Sequence, residues 1–142
     1  MTMYAIVRVR GSVNVSPKTK KTFEYLNLDR VNSMSIWPEN EPTLRMIKMV
    51  ENYSTFGKIS EEMIIQVLEK RGKAVTGKID SKKVLAGIKA GKTFNELGIV
   101  NCFRLSPPRK GYERKGIKKP FNQGGALGNR KDKIDDLIKR MI

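Results

Sequence analysis

The run Met3 to Gly11, Met-Tyr-Ala-Ile-Val-Arg-Val-Arg-Gly, leaves little choice of local structure. β-Branched and aromatic side chains suit a pleated strand, and the glycine ends it. Successive side chains of a strand point to opposite faces, so Ala5, Val7 and Val9 share one face and Tyr4, Ile6, Arg8 and Arg10 the other. The second face begins apolar and turns cationic just before the glycine. Such a strand is expected to cover a core with its first face and to meet something anionic with its second. Ordinary solvated arginines at a strand end would look the same, so the decision rests on the remaining residues.

After a connection over Ser12 to Val15, Ser16-Pro17 predicts a helix start: serine caps free amides, and proline loses nothing at the first helical position. Thr19, Phe23 and Leu26 fall on one helical face, with Lys18, Lys20 and Lys21 displaced from it. Burying Phe23 and Leu26 is worth roughly 1.5–3 kcal/mol each. Ser33 to Trp37 alternates like a second strand, with Met34 and Ile36 inward, and Pro38 closes it. Pro42 opens a second helix whose inward stripe is Leu44, Ile47 and Val50, with Arg45 and Lys48 elsewhere on its surface. Asn52 to Ile59 reads as a third strand. The succession β-α-β-α-β predicts an α+β fold with a two-layer core, a small antiparallel sheet carrying both helices on one face.

Ser60 starts a third helix with Glu61 and Glu62 in its first turn, an apolar face of Ile64, Val67 and Leu68, and Lys70, Arg71 and Gly72 at its end. Gly77 to Gly91 holds a shorter helix around Val84, Leu85 and Ile88. Thr93 with Glu96 resembles a capping box for one more turn. Ile99 to Leu105 reads as a strand, stopped by Ser106-Pro107-Pro108. From Arg109 to Pro120 the hydrophobic period disappears and a single acid opposes many cations, which predicts an extended or disordered arm in the free protein. Gly124, Gly125 and Gly128 make a permissive loop. Asn129 then caps a last helix with Ile134, Leu137, Ile138 and Met141 facing inward, so the arm is tethered at both ends. Three parts result: residues 1–59 as the core, 60–108 as a mainly helical appended block, and 109–142 as basic arm plus terminal helix.

Charge decides what kind of partner to expect. The chain of 142 residues holds 29 Lys and Arg against 14 Asp and Glu, a formal +15 at pH 7. Solubility alone does not require that excess, so a polyanion is the expected partner. No apolar run is long enough to span a membrane or to serve as a signal sequence, which predicts a cytoplasmic protein. Histidine is absent, which removes the commonest general acid-base group near neutrality. The lone Cys102, set in Ile-Val-Asn-Cys-Phe, reads as a small buried hydrophobe and offers neither a disulfide nor a metal site. The glycine-rich pieces lack the spacing and the Lys-Ser/Thr ending of a phosphate loop. Glu61-Glu62 and Asp135-Asp136 fall in exposed helical turns where dipole compensation explains them. No catalytic group, metal or cofactor is expected.

The arm is where binding chemistry concentrates. Arg109, Lys110, Arg114, Lys115, Lys118 and Lys119 interleave with Tyr112, Phe121 and glycines. Cations neutralise phosphates, aromatics stack on unpaired bases, and glycines allow close backbone approach. Folded RNA is favoured over duplex DNA because no recognition helix, zinc finger or basic zipper appears.

Tyr4 to Gly11, Lys21 to Asn32 (Lys-Thr-Phe-Glu-Tyr-Leu-Asn-Leu-Asp-Arg-Val-Asn) and Pro42 to Ile47 (Pro-Thr-Leu-Arg-Met-Ile), in this order, resemble the large-subunit ribosomal protein L-thirty family. The ending Gly124-Gly125-Ala126-Leu127-Gly128-Asn129-Arg130 with its amphipathic helix resembles the archaeal and eukaryotic branch, whose eukaryotic member is L-seven. Bacterial members stop near the third strand. The missing basic N-terminal extension favours the archaeal form. The resemblance implies a sheet with its first strand central, two helices on one face, and contact with large-subunit (23S) ribosomal RNA, with 5S RNA as a possible further contact, alongside neighbouring ribosomal proteins.

Charge and resemblance together give an expected RNA-binding set of Arg8, Arg10, Lys18, Lys20, Lys21, Arg30, Arg45, Lys48, Arg109, Lys110, Tyr112, Arg114, Lys115, Lys118, Lys119 and Arg130. The expected function is a non-enzymatic structural constituent of the large subunit that stabilises ribosomal RNA by phosphate neutralisation. The alternatives are a small phosphoryl-handling enzyme using an arginine at a strand end, for which fold similarity is weak warrant, and a free RNA chaperone.

Overall fold

The computed structural model describes residues 3–11, 15–28, 30–72, 80–91, 94, 96–112 and 114–142. Five strands form one sheet: β1 (Met3–Arg8), β2 (Ser33–Pro38), β3 (Ser54–Lys58), β4 (Phe103–Arg104) and β5 (Gly128–Asn129), in the order β4-β2-β1-β3-β5. β1 is central, antiparallel to β2 with Ala5 opposite Ile36 and to β3 with Ala5 opposite Gly57. β4 joins β2 antiparallel, and β5 runs parallel to β3. The α+β class and the central first strand are therefore as expected.

Both faces of β1 are buried, which the sequence reading of one covered and one anion-facing side did not anticipate. Tyr4 and Ile6 pack against Phe23 and Leu26 of the α1 (Pro17–Tyr25) region and Ile47 and Val50 of α2 (Glu41–Val50). Met3, Ala5 and Val7 lie in a larger apolar cluster on the other side, with Met63, Ile64, Val67 and Leu68 of α3 (Glu61–Arg71), Val84 and Ile88 of α4 (Ser81–Lys89), and Ile134, Leu137, Ile138 and Met141 of α5 (Ile134–Met141). The sheet carries α1 and α2 on one face, as expected, and is covered by the later helices on the other.

The helices begin and end where local chemistry dictates. Ser16, Asn40, Ser60 and Asp80 accept backbone N–H bonds at the starts of α1 to α4. α1 ends with Asn27 at φ 60°; Asn27 N–H donates to Glu24 O (3.1 Å) and Leu28 N–H to Phe23 O (2.8 Å), while Leu28 packs in the Phe23 cluster. This paired capping satisfies carbonyls that the helix leaves open. Asn129 Oδ1 does accept from Lys131 N–H (2.8 Å), yet it leads into a short 3-10 turn over Lys131–Lys133, and α5 begins only after that turn.

Three further sequence expectations change. The strand expected over Ile99 to Leu105 shrinks to Phe103–Arg104, because Asn101 fills the ladder with its side chain: its Oδ1 accepts from Ile36 N–H and its Nδ2 donates to Ile36 O, both at 2.9 Å. Cys102 is only half-buried, between the buried Asn101 and Phe103. The bonds to Ile36 hold Asn101 against β2, and Phe103 turns into the core, which leaves the thiol between them nearer the surface. The arm is not simply extended but folds into turns that backbone bonds tie to the rest of the chain. The proposed Gly77 helix start and Thr93 capping residue lie outside the described residues.

Candidate nucleic-acid interface

Strand direction gathers the cationic segments at one end of the sheet. β1 finishes there at Arg8, its antiparallel neighbours β2 and β3 begin there, β4 finishes there and β5 begins there. The basic arm connects the end of β4 to the start of β5, so both its attachments lie at the same end of the sheet as Arg8 and Arg10. α2 also runs into this end, bringing Lys48 in its last turn.

Tyr112 anchors the arm. Its ring packs with Val9, Ala126 and Leu127, and its hydroxyl donates to Asn32 Oδ1, immediately before β2. Burial pushes its phenol up to about 12, against the opposing charge of Arg130. Backbone bonds hold the rest: Arg109 N–H to Arg140 O (3.1 Å), Lys115 N–H to Gly124 O (3.2 Å) and Ala126 N–H to Gly116 O (3.1 Å). A side chain at Gly125 would meet Lys119 O at 2.0 Å, so this glycine serves close approach of the arm to itself.

The expected cations divide by burial. Arg8 is 2% exposed; its Nε donates to Arg10 O (3.0 Å), its Nη1 to Leu28 O (2.7 Å), and the guanidinium lies 4.0 Å over the Phe23 ring. The α1 cap thus sets the carbonyl that Arg8 uses. Arg130 is likewise 2% exposed, with Nε donating to Thr55 Oγ1 (2.9 Å) and Nη2 to Ala126 O (3.1 Å). Both guanidinium groups act in the structure as internal clamps. Arg10 is half-buried, its guanidinium 5.3 Å over Tyr53. Lys18, Lys20 and Lys21 of α1, Arg30 beyond it, Arg45 and Lys48 of α2, and Arg109, Lys110, Arg114, Lys115, Lys118 and Lys119 of the arm are exposed, Arg45 paired with Glu41.

Two features escaped the sequence reading. Tyr25 is 77% exposed beside Lys21 and Glu24, because it sits two positions from Phe23 and so faces away from the buried stripe; helical periodicity alone could have found it. Phe121, in a 3-10 turn over Phe121–Gln123, carries Arg130 at 4.9 Å and Lys133 at 5.5 Å from its ring centre, a tertiary arrangement without a local signal.

A fold with an apolar interior on both sheet faces, and cations crowded at one sheet end and along one helical layer, defines a class of small basic α+β domains suited to a polyanion. A family model described as Ribosomal protein L30p/L7e matches residues 4–53. Similar proteins named large ribosomal subunit protein uL30 include one from Nanoarchaeum equitans, 43% identical over the full length of both chains. Another from Methanococcus vannielii is 43% identical, covering 98% of this chain and 99% of its own. One from Staphylothermus marinus is 34% identical over 99% and 98% respectively. The chain belongs to the ribosomal protein L30p/L7e family, and these full-length archaeal relatives agree with the resemblance to the longer, archaeal form.

Proposed function

We propose that this protein is a structural, non-catalytic constituent of the large ribosomal subunit in the cytoplasm, where it holds segments of 23S ribosomal RNA by neutralising their phosphates. The observation that carries the reading is the Tyr112-anchored arm: Arg109, Lys110, Arg114, Lys115, Lys118 and Lys119 are exposed on a loop whose two ends are fixed beside β1. A pinned cationic loop loses less entropy on binding than a free tail. The exposed cations of α1 and α2 supply a second surface, so two RNA segments, one of them possible in the 5S RNA, can be held by one protein. In this reading residues 1–59 carry the scaffold and the α1–α2 surface, 60–108 complete the core, and 109–142 present the arm. Neighbouring large-subunit proteins are the expected further partners. Arg8 and Arg130 serve by fixing the scaffold, Arg8 being committed to carbonyls and to Phe23.

The test is hydroxyl-radical footprinting and crosslinking in purified large subunits. Stoichiometric presence, with crosslinks from arm lysines to ribosomal RNA, is the expected result. Finding most of the protein free of ribosomes would favour the RNA-chaperone alternative instead.

A further inference from the structure

Between the α2–β3 turn and the arm lies a cleft of about 330 Å³, lined by Asn52, Phe56, Lys118, Phe121, Asn122 and Asn129 among others. We infer that this cleft receives one unpaired RNA base, so that the arm reads a flipped or bulged nucleotide as well as neutralising phosphates. The inference rests on the RNA-binding reading above. The volume is at the small end for ligand pockets and suits a single nucleotide.

The lining has the chemistry of a base site more than of a phosphate site. Phe56 and Phe121 offer ring surface for stacking, and both are held in place: Arg130 N–H donates to Phe56 O (2.8 Å), and Gly124 N–H donates to Phe121 O (3.0 Å). Arg130 and Lys133 beside the Phe121 ring hold it further. Three carboxamides stand around these rings, and a carboxamide presents a donor and an acceptor in one plane, as a base edge requires. Asn129 Oδ1 is taken by Lys131 N–H, which leaves its Nδ2 as the donor. Glu51 also lines the cleft. A carboxylate there disfavours a phosphate inside and accepts from an exocyclic amino group, which adenine and cytosine carry and uracil lacks. Lys118 is the cation of the lining, suited to the phosphate of the same nucleotide.

The experiment uses the full chain and two short RNA duplexes, one with a single adenosine bulge and one with an abasic residue at the same place. The parent protein is expected to bind the adenosine form tighter by about five-fold or more, the lower range for stacking one base on an aromatic ring. Phe121→Leu, and separately Asn122→Ala at an exposed position that does not endanger folding, should shrink that ratio while leaving the salt slope unchanged. Equal binding of the two duplexes by the parent, with a steep salt dependence, would overturn the base site and leave the electrostatic reading standing. Absence of any salt-sensitive binding would overturn both.

Discussion

Arg8 shows how a cation in a strand can belong to the core. Its guanidinium satisfies the carbonyls of Arg10 and Leu28 and covers Phe23. Arg8→Leu leaves both acceptors without their donor, and is expected to cost about 2–4 kcal/mol in denaturant unfolding, whereas Lys18→Ala on the exposed face of α1 should stay within about 0.5 kcal/mol. Tyr112 gives a pH signature. Its proton is held more tightly in the folded state, where the phenol titrates at about 12, than in an unfolded chain at the ordinary value of 10.0. The stability it contributes is therefore fully present below about pH 10 and lost as pH rises towards 12. Phenolate absorbance should include a late step from Tyr112, and Tyr112→Phe should remove both that step and the associated loss of stability. In the sequence Arg8 and Arg130 look like Lys18 and Lys118; burial is decided by partners such as Leu28 for Arg8 and Thr55 for Arg130, which are distant along the chain, so the cations could be listed but not sorted into buried clamps and exposed groups.

At the scale of elements, legibility follows how local the determinants are. α1 and α2 were readable because Ser16-Pro17 and Pro42 mark their first turns, and α5 because Ile134, Leu137, Ile138 and Met141 repeat at helical spacing. β4 was readable in place but not in length, and β5 not at all, since two residues become a strand only when a neighbouring strand presents its edge. Asn101 is the extreme case, a side chain standing in for backbone against Ile36. The arm was legible in charge and not in shape, because its order comes from Tyr112 and from backbone bonds across the loop. Deleting 109–119 would therefore uncover Val9, Ala126 and Leu127. The cleaner separation of charge from packing is Arg114, Lys115, Lys118 and Lys119 all changed to Gln. Thermal unfolding should move little, while RNA affinity falls and the slope of log affinity against log salt becomes shallower by about 3, since each phosphate no longer neutralised removes roughly 0.7–0.9.

In the whole molecule the sheet is a partition between two apolar compartments, and the outer layer added by α3, α4 and α5 is as much part of the core as α1 and α2. Truncation after Gly128 would remove four side chains that have no exposure in the folded chain, a loss of about 6–12 kcal/mol at 1.5–3 each. That matches the entire stability of a typical domain, so the truncated chain should lack a cooperative thermal transition. The strand order β4-β2-β1-β3-β5 also bears on how the protein is made. The central strand leaves the ribosome first, β2 and β3 add to its two sides, and β4 and β5 close the edges last, so at no stage does an early strand wait for a centre not yet synthesised. The sheet can grow outward in the order of translation, with Ala5, Val7, Met34 and Ile36 left bare until α3 to α5 emerge to cover them.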